Sequence, residues 1–570
     1  MTSPGGQAAV NGVSSLPHGA SYALLRAGLN LTQLRRYRRL MEGAQRPRDV
    51  QLALLRRIMA DNADTEFGRR HSFSGVADAD DYRRAVPVQS YEDLRPLIER
   101  QELTGEPCLT RERPVYYHRT SGTVGAAKNI PVTPSGLGRM KGDQKLSAYV
   151  WSRDSHVLRG KGFAISGQAV EGHMEGGTPY GSASGLLYLG QSRFVRSRYV
   201  LSPQVADIED YDLRYLVTVI FGLAEPHVTG IATANPSTFL RLLSVADRHS
   251  DTILDAIATG RLPSAESLPG PVRQALKPDP QRARYLSSCL EGAGRYTFTD
   301  IWPHLQGIVT WTGGSCGTAL NSLSGLIPEG IPIIELGYLA SEFRGTLNID
   351  ARHNLCLPTL FQTYFEFVER EAWESGSSGF LGLHELEQDA EYYVFVTTPD
   401  GLYRYDMNDI VRVSGRVHET PTLDFVQKGK GTTSITGEKL TESQALDAVP
   451  SILANRNVQH QFFIVIADEQ TAGYTLFVES GNHGGQHLGD SNAIAAEVDL
   501  KLCELNVEYE AKRKSGRLTP LEVRWLRTGA GDQYRAVCVN SGQRDTQFKY
   551  LHLQYARECK LDFASLAQAD

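Results

Sequence analysis

A short stretch of hydroxyl-bearing residues and glycines carries the densest chemical signal in the sequence. It reads HRTSGTVGAAKNIPVT, from His118 to Thr133. Glycines permit backbone angles that other residues avoid and let amide groups approach an anion, while hydroxyls and a lysine supply donors and positive charge. The residues with these properties are Thr120, Ser121, Gly122, Thr123, Gly125 and Lys128. The composition of this stretch therefore suits a loop that binds phosphate.

The spacing within the stretch does not match the phosphate loop G-x-x-x-x-G-K-[ST]. Lys128 stands three positions after Gly125, and an asparagine follows the lysine where that loop has a hydroxyl residue. The β-prone segment VYY precedes the stretch, and Thr133 followed by Pro134 is typical of a helix start. On composition alone, the stretch is equally compatible with a polar turn between a strand and a helix.

Two later stretches place polar residues directly after apolar segments. ELGYLASE ends a predicted strand with Tyr338, Ser341 and Glu342. GLYRYDMNDIVRV puts Arg404 and Asp409 in a predicted tight polar turn. We interpret Arg404 as a structural ion-pair partner, because arginines beside tyrosines in strands often bridge loops.

In this order, the three stretches resemble the nucleotide motifs of the Gretchen Hagen 3 family of acyl-acid amido synthetases, part of the wider adenylate-forming group. The matching residues are Thr120 to Gly125 with Lys128 and Pro131, then Tyr338, Ser341 and Glu342, then Tyr403, Arg404, Tyr405 and Asp409. Two further segments extend the resemblance. SITGEKLTE is similar to the family's hinge with its lysine, Lys439, and Gln547 to Lys549 resembles a Gln-x-Lys near the C-terminus. The resemblance covers nearly the whole chain.

The resemblance implies an ATP-dependent, AMP-forming ligase that adenylates a small carboxylic acid and transfers the acyl group to an amine or amino acid. The alternative is an adenylating ligase whose acceptor is a thiol, on coenzyme A or a carrier protein. The implied cofactors are ATP and Mg²⁺. The implied fold is mixed α/β and α+β, with luciferase-like adenylate-forming architecture. It comprises a large N-terminal domain of several sheets with flanking helices and a small mobile α+β C-terminal domain.

The same resemblance assigns a role to each site residue. Asp409 accepts both ribose hydroxyls, Glu342 holds Mg²⁺, and Lys549 neutralises phosphate charge as pyrophosphate leaves. The other assignments are Thr120, Ser121, Gly122, Thr123, Gly125 and Lys128 at the phosphates, Tyr338 near adenine, Ser341 in the nucleotide site and Lys439 at the hinge.

Two positions depart from the family pattern. Val124 stands where the family often has a hydroxyl residue, which removes one phosphate donor. Asn408 replaces the glycine before Asp409. Asparagine tolerates left-handed backbone geometry better than most residues, so we expect the local backbone to be preserved.

Length and composition limit the class of protein. The 570 residues exceed the usual size of one domain, and 41% hydrophobic with 22% charged residues is typical of globular proteins. The formal net charge of -6 gives no reason to expect nucleic acid or a membrane surface as a partner. Seven scattered cysteines indicate reduced thiols, and we find neither a membrane span nor a secretory leader. We therefore expect a cytoplasmic location.

Strand and helix patterns alternate along the chain and so predict buried sheets with helices packed against them. The run FVQKGKGTTSITGEKL is rich in glycine, hydroxyls and lysine, which indicates a domain boundary. The predicted division is a large domain at 1–426, a hinge at 427–440 and a small domain at 441–570. We expect the acid pocket to be lined by the helix after Thr133 and by the glycine-rich run 167–185.

Two other patterns compete with this interpretation. Gly313 to Gly317 satisfies G-x-S-x-G after a predicted strand, and His353, His384 and His418 are available to a serine hydrolase. That hypothesis leaves the other motifs unexplained, whereas in an adenylating enzyme the same turn borders the nucleotide. His483 and His487 have metal-ligand spacing, but their glycine-rich surroundings favour a surface loop.

Overall fold

The computed structural model describes residues 16–120, 128–293, 295–314, 316–374, 378–429, 431–433, 435, 438, 440–468, 470–481, 490–514, 516, 518–541, 545 and 548–568. Its helices are α1 Leu16–Gly43, α2 Pro47–Asp61, α3 Glu66–Arg70, α4 Ala79–Ala85, α5 Tyr91–Thr104, α6 Pro134–Asp154, α7 Ala183–Leu189, α8 Arg193–Arg196, α9 Tyr211–Ala224, α10 Ser237–Arg248, α11 Ser250–Thr259, α12 Gly270–Arg273, α13 Pro280–Ala293, α14 Phe298–Ile301, α15 Cys316–Leu323, α16 Arg370–Glu374, α17 Glu442–Asn455, α18 Ser491–Leu505, α19 Val507–Lys514 and α20 Ala530–Asn540.

Its strands are β1 Tyr116–Thr120, β2 Lys128–Val132, β3 Lys161–Ala164, β4 Gly172–His173, β5 Pro179–Gly181, β6 Val228–Ala232, β7 Gly307–Thr310, β8 Ile333–Glu335, β9 Thr346–Asp350, β10 Leu355–Pro358, β11 Tyr364–Glu369, β12 Leu381–Gly382, β13 Glu391–Thr397, β14 Tyr405–Val417, β15 Thr420–Lys428, β16 Thr432–Thr433, β17 Leu440–Thr441, β18 His460–Asp468, β19 Gly473–Ser480, β20 Glu522–Leu526 and β21 Leu553–Tyr555. The mixture of parallel and antiparallel sheets with packed helices confirms the predicted fold class.

A parallel sheet in the order β3-β6-β7-β8 positions the segments that carry chemistry. β6 and β7 are almost wholly buried, as expected for strands covered on both faces. The strands run in one direction, so their carboxyl ends meet at the same edge, where ligands bind in open α/β sheets. The segments after β7 and β8, which begin at Trp311 and Leu336, therefore converge there.

The glycine-rich stretch joins two strands of an antiparallel pair. Thr120 at the end of β1 pairs with Lys128 at the start of β2, and residues 121–127 between them lie outside the described part of the chain. The expectation of a turn that leads directly from a strand into a helix is wrong, because β2 intervenes. α6 then begins as predicted, since the Thr133 side chain accepts a hydrogen bond from the Gly136 amide and Pro134 occupies the first turn.

Asp409 lies within a strand rather than in the predicted tight turn. β14 belongs to the antiparallel sheet β12-β11-β13-β14-β15. Its register against β13 shifts between Asp406 and Ile410, which bulges the strand at this point. Asn408 adopts a φ of 48° inside the bulge, so the expectation that asparagine preserves the backbone there is confirmed. The Asp409 side chain contacts Tyr338, in the segment after β8.

The C-terminal residues build a sheet and core of their own. The sheet has the order β20-β19-β18-β21, and α17 and α18 pack on one hydrophobic cluster while α20 packs on another. Thr441 caps α17 together with Gln444. All seven cysteines are free thiols. In the described part of the chain, no helix has the length and apolar character needed to cross a membrane.

Candidate active site

A cavity of about 2190 Å³ opens at the carboxyl edge of the parallel sheet. Segments that are distant in the sequence line it, because they follow β7 and β8, cross the bulge of β14, or come from the C-terminal unit. The residues assigned to the nucleotide site that line this cavity are Lys128, Tyr338, Ser341, Glu342, Asp409 and Lys549. The structure therefore brings together all the assigned residues whose side chains it describes.

Tyr338 and Asp409 form the buried centre of the site. The Tyr338 hydroxyl donates to Asp409 Oδ2 at 2.6 Å, and both residues are almost fully buried. Burial and the neighbouring Asp409 carboxylate raise the pKa of Tyr338 well above its ordinary value, so the hydroxyl stays a proton donor. The Tyr338 ring also stacks on Phe425, with centroids 5.8 Å apart. A ring and a carboxylate are thereby fixed side by side.

Ser341 and Glu342 follow Tyr338 in the tight connection to β9. The connection closes through hydrogen bonds from the Gly345 and Thr346 amides to the Tyr338 carbonyl, at 2.8 and 3.1 Å. His118 Nδ1 lies 3.0 Å from the Ser341 carbonyl, which ties the connection to β1. The half-buried Glu342 carboxylate reaches the cavity wall. An oxygen donor in this place fits Mg²⁺, which usually combines one or two protein carboxylates with phosphate oxygens and water.

Lys128 lies at the same wall among tyrosine rings. Its Nζ donates to the Tyr405 hydroxyl at 3.0 Å and lies 5.8 Å from the ring centroid of Tyr91. Burial raises the pKa of Tyr405, with a further contribution from the Glu342 carboxylate. Lys128 thus places positive charge at the foot of the hairpin that carries the glycine-rich loop.

Several assigned residues have no described side chain. Ser121, Gly122, Thr123 and Gly125 lie outside the described residues, as do Val124 and Lys439. The backbone of Thr120 is described, at the end of β1, but its side chain is not. Ser315, the serine of the hydrolase pattern, and the histidine pair His483 and His487 also lie outside the described part.

Arg404 serves as the structural ion-pair partner predicted from the sequence. Its Nε donates to Glu366 Oε2 at 2.9 Å, and both side chains are buried. Arg83 donates to the other oxygen of Glu366 at 2.9 Å. Arg404 has a backbone φ of 42°, and it is not among the described residues that line the cavity with Asp409. The pair joins the residue before β14 to β11, and Arg83 ties Glu366 to α4.

A buried carboxylate organises the turn after β7. Glu335 Oε2 accepts from the Thr312 amide at 2.6 Å and from its hydroxyl at 2.5 Å, while Oε1 accepts from the Gly337 amide at 2.7 Å. Burial raises the pKa of Glu335, and these hydrogen bonds oppose that rise. Glu335 therefore joins the ends of β7 and β8. Sequence reasoning missed this role because the contact with Thr312 joins residues 23 positions apart.

Trp311 and Phe425 are the site residues that sequence reasoning overlooked. Both line the cavity, and Lys549 Nζ lies 4.3 Å from the Trp311 centroid and 4.5 Å from that of Phe425. Trp311 directly follows the apolar strand β7, which was the available signal, whereas Phe425 lies within β15 and carried none. Their proximity to Lys549 depends on how the C-terminal unit docks.

The remaining cavity wall is largely apolar and fits an acyl group. α6 contributes Ala148 and Trp151, as expected for the helix after Thr133, together with polar side chains that include Lys145, and α1 contributes Leu25 and Leu29. Of the glycine-rich run 167–185, only the end near Ala183 lines the cavity among the described residues. That part of the pocket prediction is therefore only partly confirmed.

Curated relatives and solved structures are similar to this chain over nearly its full length. Indole-3-acetic acid-amido synthetase GH3.4 of Arabidopsis thaliana is 26% identical over 557 residues, covering 91% of each chain. The probable indole-3-acetic acid-amido synthetase GH3.1 of Oryza sativa subsp. japonica is 26% identical over 538 residues, covering 88% of this chain and 86% of its own.

Structural similarity extends to a second class of ligase. AtGH3.15 acyl acid amido synthetase in complex with 2,4-DB superposes with a TM-score of 0.81 at 21% identity, over 94% of this chain and 96% of its own. A 2-hydroxyisobutyryl-CoA ligase in the postadenylation state has a TM-score of 0.52 at 12% identity, over 90% of each chain. These similarities show an adenylate-forming fold.

Family models match three consecutive parts of the sequence. The GH3 family N-terminal domain matches residues 36–333, the central domain residues 356–428 and the C-terminal domain residues 443–558. The N-terminal model alone spans more than half of the chain, and the order agrees with the resemblance carried by the motifs. The chain therefore belongs to the GH3 family.

Proposed function

We propose that this protein is an ATP-dependent, AMP-forming ligase that adenylates a carboxylic acid and joins the acyl group to an amino acid. The observation that carries the proposal is the meeting of Tyr338, Glu342, Asp409 and Lys549 at one cavity. Tyr338 and Glu342 share one motif, but Asp409 and Lys549 come from two distant segments, and nothing in local structure requires the three segments to be close. The named relatives, which are acid-amido synthetases, support the same reaction class.

The chemistry explains why such residues are needed. A carboxylate is a poor electrophile, so one of its oxygens attacks the α-phosphorus of ATP, a bond to that phosphorus forms, and pyrophosphate leaves. The amine then attacks the acyl carbon of the adenylate and expels AMP. The first step concentrates charge on phosphates, where positioning and cationic groups lower the barrier.

The assigned roles follow from these demands. Asp409 is oriented by the Tyr338 hydroxyl and is proposed to accept the ribose hydroxyls, while Phe425 and Tyr338 offer ring faces beside it. Glu342 is proposed to hold Mg²⁺, which would neutralise phosphate charge when bound. Lys549 is proposed to reach the phosphates. Lys128 and the loop at residues 120–125 are proposed to complete the phosphate site, with Ser341 beside them and Lys439 at the hinge.

We also propose the domain division 1–426, 427–440 and 441–570. Two hydrophobic clusters lie entirely between Ile435 and Leu566, which supports an independent C-terminal core. The family models meet between residues 428 and 443, in the proposed hinge.

Acid-dependent exchange of labelled pyrophosphate into ATP tests the adenylation step. A panel should include indole-3-acetate, 2,4-DB, benzoate and fatty acids of several lengths. With an active acid, added amino acids should give an amide and AMP, whereas coenzyme A should give no thioester. The proposal would be contradicted if none of the acids in the panel supported exchange, or if a thioester were the preferred product.

A further inference from the structure

Lys549 is held between two aromatic rings instead of by a carboxylate. Its Nζ lies 4.3 Å from the Trp311 centroid and 4.5 Å from the Phe425 centroid. Both distances are inside the roughly 6 Å within which an aromatic face attracts an ammonium. Within the described residues, Lys549 makes no ion pair.

The two rings are fixed by contacts that do not involve the lysine. Trp311 Nε1 donates to the Gly337 carbonyl at 3.0 Å, which ties the indole to the segment after β8. Phe425 stacks on Tyr338. Gly313 packs against β15 so closely that an added Cβ would lie 2.6 Å from the Phe425 carbonyl oxygen. The rings therefore form a slot, comprising Trp311 and Phe425, within the walls of the nucleotide site.

The segment that carries Lys549 is seated separately. Asn235, just after β6, donates to the Phe548 carbonyl. Tyr215 on α9 donates to Asp545 Oδ2 at 2.6 Å. Arg535 on α20 donates to Asp545 Oδ1 at 2.8 Å. These bonds bring the lysine backbone to the slot without using its ammonium group.

An aromatic slot suits a lysine that must deliver its charge to phosphate. A carboxylate partner would cancel that charge and occupy N–H donors, and the ion pair would have to break in each catalytic cycle. Ring faces attract the ammonium but leave its three N–H donors available for oxygen acceptors. Such a slot directs the ammonium group while leaving its N–H donors available to phosphate oxygens.

We propose that Trp311 and Phe425 are positioning residues that hold the Lys549 ammonium for the adenylation step. The proposal rests on the role of Lys549 in the proposed function. It assigns the two rings to the first half-reaction only, because amine attack on the finished adenylate does not need a cation at the departing pyrophosphate.

A double-mutant cycle in the pyrophosphate exchange assay tests whether the two rings act through Lys549. Trp311→Leu and Phe425→Leu should each lower the maximal exchange rate by about 3- to 30-fold, whereas Trp311→Phe and Phe425→Tyr, which retain a ring, should stay close to wild type. In a Lys549→Ala background, the leucine substitutions should have little further effect. Amide formation from a pre-made acyl-adenylate should change less than twofold in the leucine variants. Additive losses, or equal losses in both half-reactions, would overturn the proposal.

Amine labelling tests the slot without relying on activity. In wild type, acetic anhydride should acetylate Lys549 several-fold more slowly than the exposed Lys145, and both leucine variants should accelerate labelling of Lys549 alone. Phe343→Leu is the matched control, because Phe343 contacts the Tyr338 ring at 5.2 Å without facing Lys549. Unchanged labelling in the leucine variants would overturn the slot even if exchange is normal. If no exchange is seen but the labelling of Lys549 still responds to loss of the rings, the result would instead count against the proposed function.

Discussion

At the residue scale, the contact between Tyr338 and Asp409 joins two motifs that lie 71 positions apart. The hydroxyl donates to one carboxylate oxygen, and the ring supports Phe425. The tyrosine therefore orients the carboxylate by one hydrogen bond while shaping the wall by packing. These two contributions can be separated by substitution.

We predict that Tyr338→Phe raises the KM for ATP by about 2- to 10-fold, because the hydrogen bond that orients the Asp409 carboxylate is lost while the carboxylate itself and the ring stack remain. Asp409→Asn should raise it by about 10-fold or more, because the charged acceptor for the ribose hydroxyls is lost. Pyrophosphate exchange at varied ATP and saturating acid measures both effects. A change confined to the KM for the acid would contradict the assignment of Asp409.

A second prediction concerns Arg404, whose interaction with Glu366 is buried. Arg404→Met should lower the free energy of unfolding by about 3 kcal/mol or more, because a buried charge loses a partner, although Arg83 still contacts Glu366. Urea denaturation measures the change. Arg412→Met is the control, since the Arg412 side chain is 53% exposed in its ion pair with Glu391 and should cost less than about 1 kcal/mol. Equal costs would refute the structural role.

At the element scale, the turn after β7 shows how a glycine pair serves the site. Gly314 has a φ of 59°, which favours glycine, and Gly313 lies against the backbone of β15. The G-x-S-x-G pattern thus has a packing explanation at its first two positions. The same close approach places Trp311 opposite Phe425.

We therefore predict that Gly313→Ala lowers the exchange rate by about 10-fold or more, because its Cβ would force β15 and Phe425 away from Trp311. The control is Gly317→Ala in α15, where no atom lies within 4 Å of the added Cβ. That variant should keep its activity and gain up to about 1 kcal/mol in helix stability. Exchange assays and thermal denaturation distinguish the two. Full activity of Gly313→Ala would show that the spacing of the rings is unimportant.

At the scale of the whole molecule, the C-terminal unit both docks on the cavity and carries a buried carboxyl group. Glu442, the first residue of α17, accepts from the His552 amide at 2.6 Å. Burial raises its pKa from an ordinary 4.5 to about 7, and the Lys549 charge opposes that rise. Between these pH values, the native state keeps a proton that the unfolded chain has lost. The stability that this proton confers is present below pH 4.5 and is lost as the pH rises through about 7.

Glu442→Gln should remove this pH dependence. Relative to wild type, its free energy of unfolding should increase between pH 5 and 8 by up to about 3 kcal/mol, because the amide keeps the acceptor oxygen without the cost of a buried charge. Urea denaturation across that range measures the difference. Glu497→Gln is the control, since its exposed pair with Arg456 lowers the pKa of Glu497 and it does not titrate in this range. If the difference in free energy of unfolding between Glu442→Gln and wild type did not vary with pH, the effect of burial on the pKa of Glu442 would be contradicted.

The sequence by itself determined those features whose physical basis is local. The cap at Thr133 starts α6 because its side chain satisfies a nearby amide, and Asn408 tolerates the left-handed angle that its position requires. The motifs were recognisable because each places its residues within a few positions of one another. The pairing of β2 with β1 was not recognisable, because Pro131 within Lys128–Val132 argues against a strand and is tolerated here only at the edge of the sheet.

Only the tertiary structure decided which side chains share the cavity and how they are held. The contacts of Lys549 with Trp311 and Phe425, and of Glu335 with Thr312, join segments brought together by the parallel sheet and by docking of the C-terminal unit. No periodicity or spacing in the sequence encodes such contacts, since they arise from packing between elements that lie far apart in the chain. The residue types needed for the chemistry were therefore readable in the sequence, while their mutual geometry follows from how the sheets assemble and how the C-terminal unit docks on them.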